Sequence, residues 1–161
     1  MSAVKTTDFF ISVEEYLKGE LIAETRHEYI DGDIYAMAGA SKNHERIAGN
    51  IFRKLGNYLE DTLCEVFSKD IKVDIGTKFF YPDVMVVCED KSDDDYMTNS
   101  PIMIIEVLSK STRQKDKLIK RRAYQSLASL KEYVLIEQDF IEIEISRRSQ
   151  NWFPENYFLG D

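Results

Sequence analysis

The chain has 161 residues, of which 43% are hydrophobic and 31% charged, and its net charge is -8 at pH 7. A chain of that length buries roughly 70% of the surface its unfolded form exposes, enough for one domain spanning 1–161 with an ordinary core. The acidic balance excludes coating of nucleic acid by bulk electrostatics, no apolar run approaches the ~18 residues of a membrane span, and "MSAVKTTDFFISVEEY" lacks the layout of a signal peptide, so a cytoplasmic protein is expected.

In chain order, "SVEEYLKGELIAE" predicts a helix, with Val13, Tyr16, Leu17 and Leu21 near helical spacing, Ser12 as N-cap and Glu15 as its capping-box partner. "HEYIDGDIYAMAG" predicts a hairpin with strands near 27–30 and 33–38, because Asp31-Gly32 suits the positive φ of a type I′ turn. A long helix follows from Ser41 to about Asp61, with Ile47, Ile51, Leu55, Tyr58 and Leu59 as one buried stripe and His44 on the inward side of its first turn. "CEVFSKDIKVDI" reads as one strand and "KFFYPDVMVVCE" as another, entered at Pro82. Cys64 and Cys88 are expected to be buried, reduced thiols.

"EDKSDDDYMTNSP" opens with five acids in seven residues but lacks the alternation and central glycine of a calcium loop, so it reads as a solvated loop. "PIMIIEVLS" is a continuous apolar strand of the kind found in mid-sheet. A helix over 112–130 carries Ile119, Ala123, Leu127 and Leu130 as its apolar stripe, and "KEYVLIEQ" with "FIEIEISRR" forms a closing hairpin. "NWFPENYFLGD" looks like the lead-in to another strand, as from a truncated C-terminus. The order predicts an α/β fold, a mixed sheet flanked by helices.

Glu106 stands inside the apolar strand, where an ionised carboxylate without a partner costs several kcal/mol. Asp83 follows Pro82 one strand earlier; if the strands are neighbours, the two carboxylates converge on a hard cation, ordinarily Mg²⁺. On the next helix Asp116, Lys120 and Tyr124 fall at i, i+4 and i+8 beside the apolar stripe, so Lys120 can reach over the sheet to position a water and steady charge on a phosphate. Structural readings stand beside these: a surface Asp116–Lys120 pair, Asp83 as a plain strand-entry residue, Glu106 in a buried ion pair, His44 as a core or capping histidine, and Glu28 facing either side of its strand. Residues 110–122 carry seven Lys or Arg and one acid, the strongest charge asymmetry in the chain.

"HEYIDGDIYAMAGAS..H", "YPDVMVV", "IIEVLSKSTRQKDKLIKRRAY" and "EYVLIE" together resemble a bacterial restriction-endonuclease family of the PD-(D/E)XK nuclease superfamily, over residues from about 10 to 150. The resemblance implies a restriction-endonuclease-like core, with Asp83 and Glu106 as metal ligands and the Val107 carbonyl completing the coordination. It implies an auxiliary acid at Glu28 and a recurrent histidine at His44. Leu108 stands where the superfamily motif has its lysine, and Lys120 matches the migrated lysine of related families. The expectation is a Mg²⁺-dependent endonuclease, Mn²⁺ also serving, that cuts DNA as a homodimer, with Arg113, Lys117, Arg121 and Arg122 on phosphates. The rivals are a non-catalytic nucleic-acid-binding module and a structural or interaction protein on the same fold.

Overall fold

The computed structural model describes residues 3–5 and 9–161. Near the start, β1 (Ala3–Lys5) precedes α1 (Val13–Glu20), which opens with the expected capping box: Ser12 Oγ accepts from the Glu15 N–H, and Glu15 returns its carboxylate to the Ser12 N–H. The hairpin β2 (His27–Ile30) and β3 (Asp33–Met37) turns at Asp31 and Gly32 with φ of 47° and 100°, as the type I′ expectation requires. Next comes α2 (Lys42–Tyr58), capped by Ser41. Its Ile47, Ile51 and Leu55 pack inward, whereas Tyr58, the last residue of the helix, is 83% exposed.

Each of the two runs read as a single strand divides. Residues 64–75 give β4 (Glu65–Phe67) and β5 (Lys72–Asp74); residues 78–89 give β6 (Lys78–Phe80) and β7 (Val84–Val87). The physical reason for the second break is Pro82, which has no N–H to offer a ladder. At the first break Lys69 takes a left-handed φ of 65° and donates its N–H to the Pro82 carbonyl, so the two crossings are tied together. A two-residue strand, β8 (Met97–Thr98), follows the acidic loop, and β9 (Pro101–Leu108) is the apolar strand.

The strands form two six-membered sheets, ordered β1-β3-β2-β6-β5-β8 and β12-β11-β10-β9-β7-β4, where β10 is Glu132–Glu137, β11 Glu142–Arg147 and β12 Pro154–Phe158. β12 pairs antiparallel with β11, so the apolar C-terminal run completes a strand. Only β5–β8 and β9–β10 are parallel among these pairs. On one face of the second sheet Val84, Ile105, Val107 and Val134 meet Ala48 of α2. The other face brings Met85, Ile104 and Leu108 against Tyr124, Leu127 and, from the first sheet, Val73 and Phe80. By strand alternation Glu106 shares this second face with Ile104 and Leu108.

The helix expected over 112–130 is shorter and irregular. It runs as α3 (Arg113–Lys115), a π-helical turn (Asp116–Lys120) and α4 (Arg121–Gln125). Ile119, placed on the inward stripe by periodicity, is 45% exposed and Leu118 60%, because Asp116, Lys120 and Tyr124 take the inward side.

The cysteine expectation is also overturned: Cys64 and Cys88 are joined in a disulfide and are half-buried. They lie 24 residues apart in sequence, but the antiparallel register Glu65↔Val87 of β4 and β7 sets them side by side.

Candidate active site

The site assembles where both sheets, the π-turn and the start of α2 meet. The β7–β9 register pairs Val84 with Ile105, which carries Asp83 opposite Glu106 one step beyond the ladder. There the break at Pro82 frees backbone donors for side chains. The Asp83 N–H donates to Glu106 Oε1 at 3.0 Å, and the Val107 N–H returns a bond to Asp83 Oδ2 at 2.8 Å. This reciprocal clamp replaces two ladder bonds and fixes both carboxylates relative to the sheet.

Lys120 comes down from the π-turn into this face. Its Nζ lies 2.9 Å from Glu106 Oε2, 3.2 Å from Glu28 Oε2 and 3.2 Å from Asp116 Oδ1. All four side chains are at most 2% exposed, and Lys120 also stands over the Phe80 ring. Glu28 reaches the site from β2, with Oε2 accepting weakly from the Tyr81 N–H at 3.4 Å. His44, in the first turn of α2, sets Nε2 at 3.3 Å from Asp83 Oδ2, and among the described residues neither ring nitrogen makes an aligned hydrogen bond. Glu28, His44, Asp83, Glu106 and Lys120 are thus brought together, with the Val107 backbone beside them.

Burial acts first on each charge. It pushes Glu106 well above the usual carboxylate range, aided by Asp83 and Asp116 and opposed by Lys120. Asp83 is also penalised by burial, but the His44 ring and the Val107 N–H bring it below its ordinary value. Burial works against the Lys120 ammonium too, yet Glu106, Glu28 and Asp116 together hold its pKa well above the ordinary lysine value. Lys120 is therefore a cation at any neutral pH.

Among the described residues no three His, Cys, Asp or Glu side chains stand in a ready-made metal-binding geometry. Lys120 Nζ occupies the centre of the carboxylates instead. The donor set nevertheless fits a hard cation: three buried carboxylates meet one ammonium, a fourth, Asp83, is clamped to Glu106, and among the described residues Glu28 Oε1 and Asp116 Oδ2 have no hydrogen-bond partner. Asp116, which the sequence also allows as half of a surface pair, lies buried with Lys120 and Tyr124 on the i, i+4, i+8 stripe that the three share.

The basic residues divide. Arg113 makes a two-pronged pair with Glu137, the last residue of β10, at 3.0 and 2.5 Å. Arg121 bonds Glu144, Ser146 and the Lys117 carbonyl. Lys117, Arg121 and Arg122 line one groove of about 930 Å³ with Lys78, Ile75 and Leu118.

Comparison with known proteins fits this frame. The chain is 36% identical over 157 residues to the uncharacterized protein slr1290 of Synechocystis sp., covering 94% of this chain and 82% of that one. It is 38% identical over 149 residues to sll1609 of the same organism, also uncharacterized, covering 89% and 84%. Its fold matches the crystal structure of a putative nuclease belonging to DUF820 from Anabaena variabilis, with a TM-score of 0.74 at 21% identity over 91% of this chain and 84% of the other. The Uma2 family model, described as "Putative restriction endonuclease", matches residues 13–161, and the chain belongs to that family.

Proposed function

We propose that the protein is a divalent-metal-dependent endonuclease that hydrolyses phosphodiester bonds in DNA. The observation that carries this reading is the excess of buried carboxylate around Lys120, which stability alone does not explain because burying unbalanced charge costs free energy. Asp83 and Glu106, with the Val107 carbonyl, would hold Mg²⁺ or Mn²⁺. Bound there, such an ion supplies Lewis-acid polarisation of the phosphate and a water of lowered pKa.

The chain's own groups supply the rest. Lys120, kept protonated by its three carboxylates, acts on developing phosphate charge through its ammonium rather than as a base. His44 holds Asp83 in place from the α2 side. Lys117 and Arg122 take the phosphate contacts expected of them, while Arg113 is committed to Glu137 and Arg121 to Glu144 and Ser146. A homodimer belongs to this reading, since cutting both strands at once needs two sites.

Cleavage of supercoiled plasmid by the purified protein tests it, with Mg²⁺, Mn²⁺ or EDTA, beside Asp83→Asn, Glu106→Gln and Lys120→Met. Nicking that requires the ion and falls on the order of 10²-fold or more in each variant is expected. Salt-sensitive binding by a folded wild type that cuts neither duplex, single-stranded nor branched DNA would move the assignment to a non-catalytic binding module.

A further inference from the structure

Asp116 has no task in the mechanism above, yet it is 1% exposed and, among the described residues, neither of its carboxylate oxygens makes an aligned hydrogen bond. An i,i+4 pair at a surface contributes a few tenths of a kcal/mol, while burying the same pair carries a desolvation cost that a single ion contact does not repay. The helix is also irregular at this point. Asp116 and Lys120 are the two ends of the π-turn, a form concentrated at functional sites, and the Asp116 carbonyl is pinned to β10 by the Tyr133 hydroxyl at 2.8 Å. Backbone and side chain are therefore set with care around a contact that adds little stability.

The bonding of Glu106 gives the reason. Its Oε1 accepts from the Asp83 N–H and its Oε2 from Lys120, so a cation approaching Oε2 meets the Lys120 ammonium already on it. Of the two other carboxylates on Lys120, Glu28 Oε2 is shared with the Tyr81 N–H, whereas that of Asp116 has no other partner among the described residues. Building on the metal-dependent reading, we infer that Asp116 is a positioning residue that retains the Lys120 ammonium beside the site when Glu106 turns to a divalent cation. Lys120 and the cation compete for Glu106, and Asp116 biases that competition toward the cation. Without Asp116, Lys120 leans on Glu106 and the cation binds less well.

The test is a double-mutant cycle on Mn²⁺ affinity, measured by calorimetry on the full chain for wild type, Asp116→Asn, Lys120→Met and the pair, with Asp83→Asn locating the site. Asp116→Asn is expected to weaken Mn²⁺ binding on the order of tenfold in wild type and less than about twofold beside Lys120→Met, the coupling of side chains that act through one another. An equal loss in both backgrounds, or none in wild type, overturns the role. Asp116→Glu, which keeps the charge and is checked by circular dichroism, is expected to retain affinity within about twofold of wild type; a tenfold loss there with the fold intact also overturns it. Normal Mn²⁺ binding with Asp116 uncoupled from Lys120 removes this role alone. A wild type whose binding is absent, or unchanged by Asp83→Asn, brings down the metal-dependent reading and this role with it.

Discussion

Lys120 is shared by three carboxylates, and the sharing fixes the sign of the simplest substitutions. Removing the ammonium leaves Glu28, Glu106 and Asp116 buried and unpaired, so Lys120→Met is expected to lose about 3–5 kcal/mol in urea denaturation. Glu106 behaves in the opposite sense. Its folded-state pKa is raised, so the folded chain binds that proton more readily than the unfolded one. Its stabilising contribution is full below the unfolded value of about 4.3 and is lost as pH rises through the raised folded value. Glu106→Gln removes that loss. In metal-free thermal melts the Tm of Glu106→Gln relative to wild type is accordingly expected to become more positive as pH rises from 4 to about 8. A difference that stays flat over this range would mean Glu106 keeps an ordinary pKa in the fold.

At the scale of elements, short interruptions matter more than the strands themselves. Pro82 ends β6, and the N–H groups of Tyr81 and Asp83, left without ladder partners, are taken up by Glu28 and Glu106. A hydrogen-bond break thus becomes the attachment point of the site. At the other end of β7, the three-residue edge strand β4 is held by its pairing to β7 and by the Cys64–Cys88 disulfide, which closes a loop over a sequence separation of 24. Such a crosslink restricts the unfolded chain and contributes about 2–4 kcal/mol. A dithiol reductant or Cys64→Ser is expected to lower urea stability by about that amount while leaving nicking unchanged, because Asp83 lies at the opposite end of β7. Activity that fell with the disulfide would show that β4 helps to set the Asp83–Glu106 clamp.

For the whole molecule the dominant contrast is between a net charge of -8 and one groove lined by Lys78, Lys117, Arg121 and Arg122. Counterion release makes the affinity for duplex DNA fall with salt by a log–log slope of about -0.9 per neutralised phosphate. Lys117→Gln and Arg122→Gln are each expected to flatten that slope by about 1 in fluorescence anisotropy. Arg113→Gln is expected to leave the slope alone and to lower stability instead, since its guanidinium is spent on Glu137. A slope that responds to Arg113 and not to Arg122 would place the DNA on the β10 side.

Much of this architecture was legible in the residues. Local patterns specified α1 with its capping box, the Asp31-Gly32 turn and the apolar strand around Glu106, because caps, turns and side-chain alternation are short-range physics. The anomaly of a glutamate in an apolar run also pointed to a partner, and the stripe on the following helix pointed to Lys120. What the sequence could not determine was which face of that helix turns inward. Periodicity favoured Ile119, but Glu28 and Glu106, buried on the sheets, require a cation, so Lys120 went in, Asp116 lies beside it, and Ile119 came out. The pairing of Cys64 with Cys88, the division of two strand runs between two sheets, and the diversion of Arg113 to Glu137 likewise depend on neighbours far apart along the chain. Only the tertiary structure decided them, because contact energies between distant residues are set by register and not by local spacing.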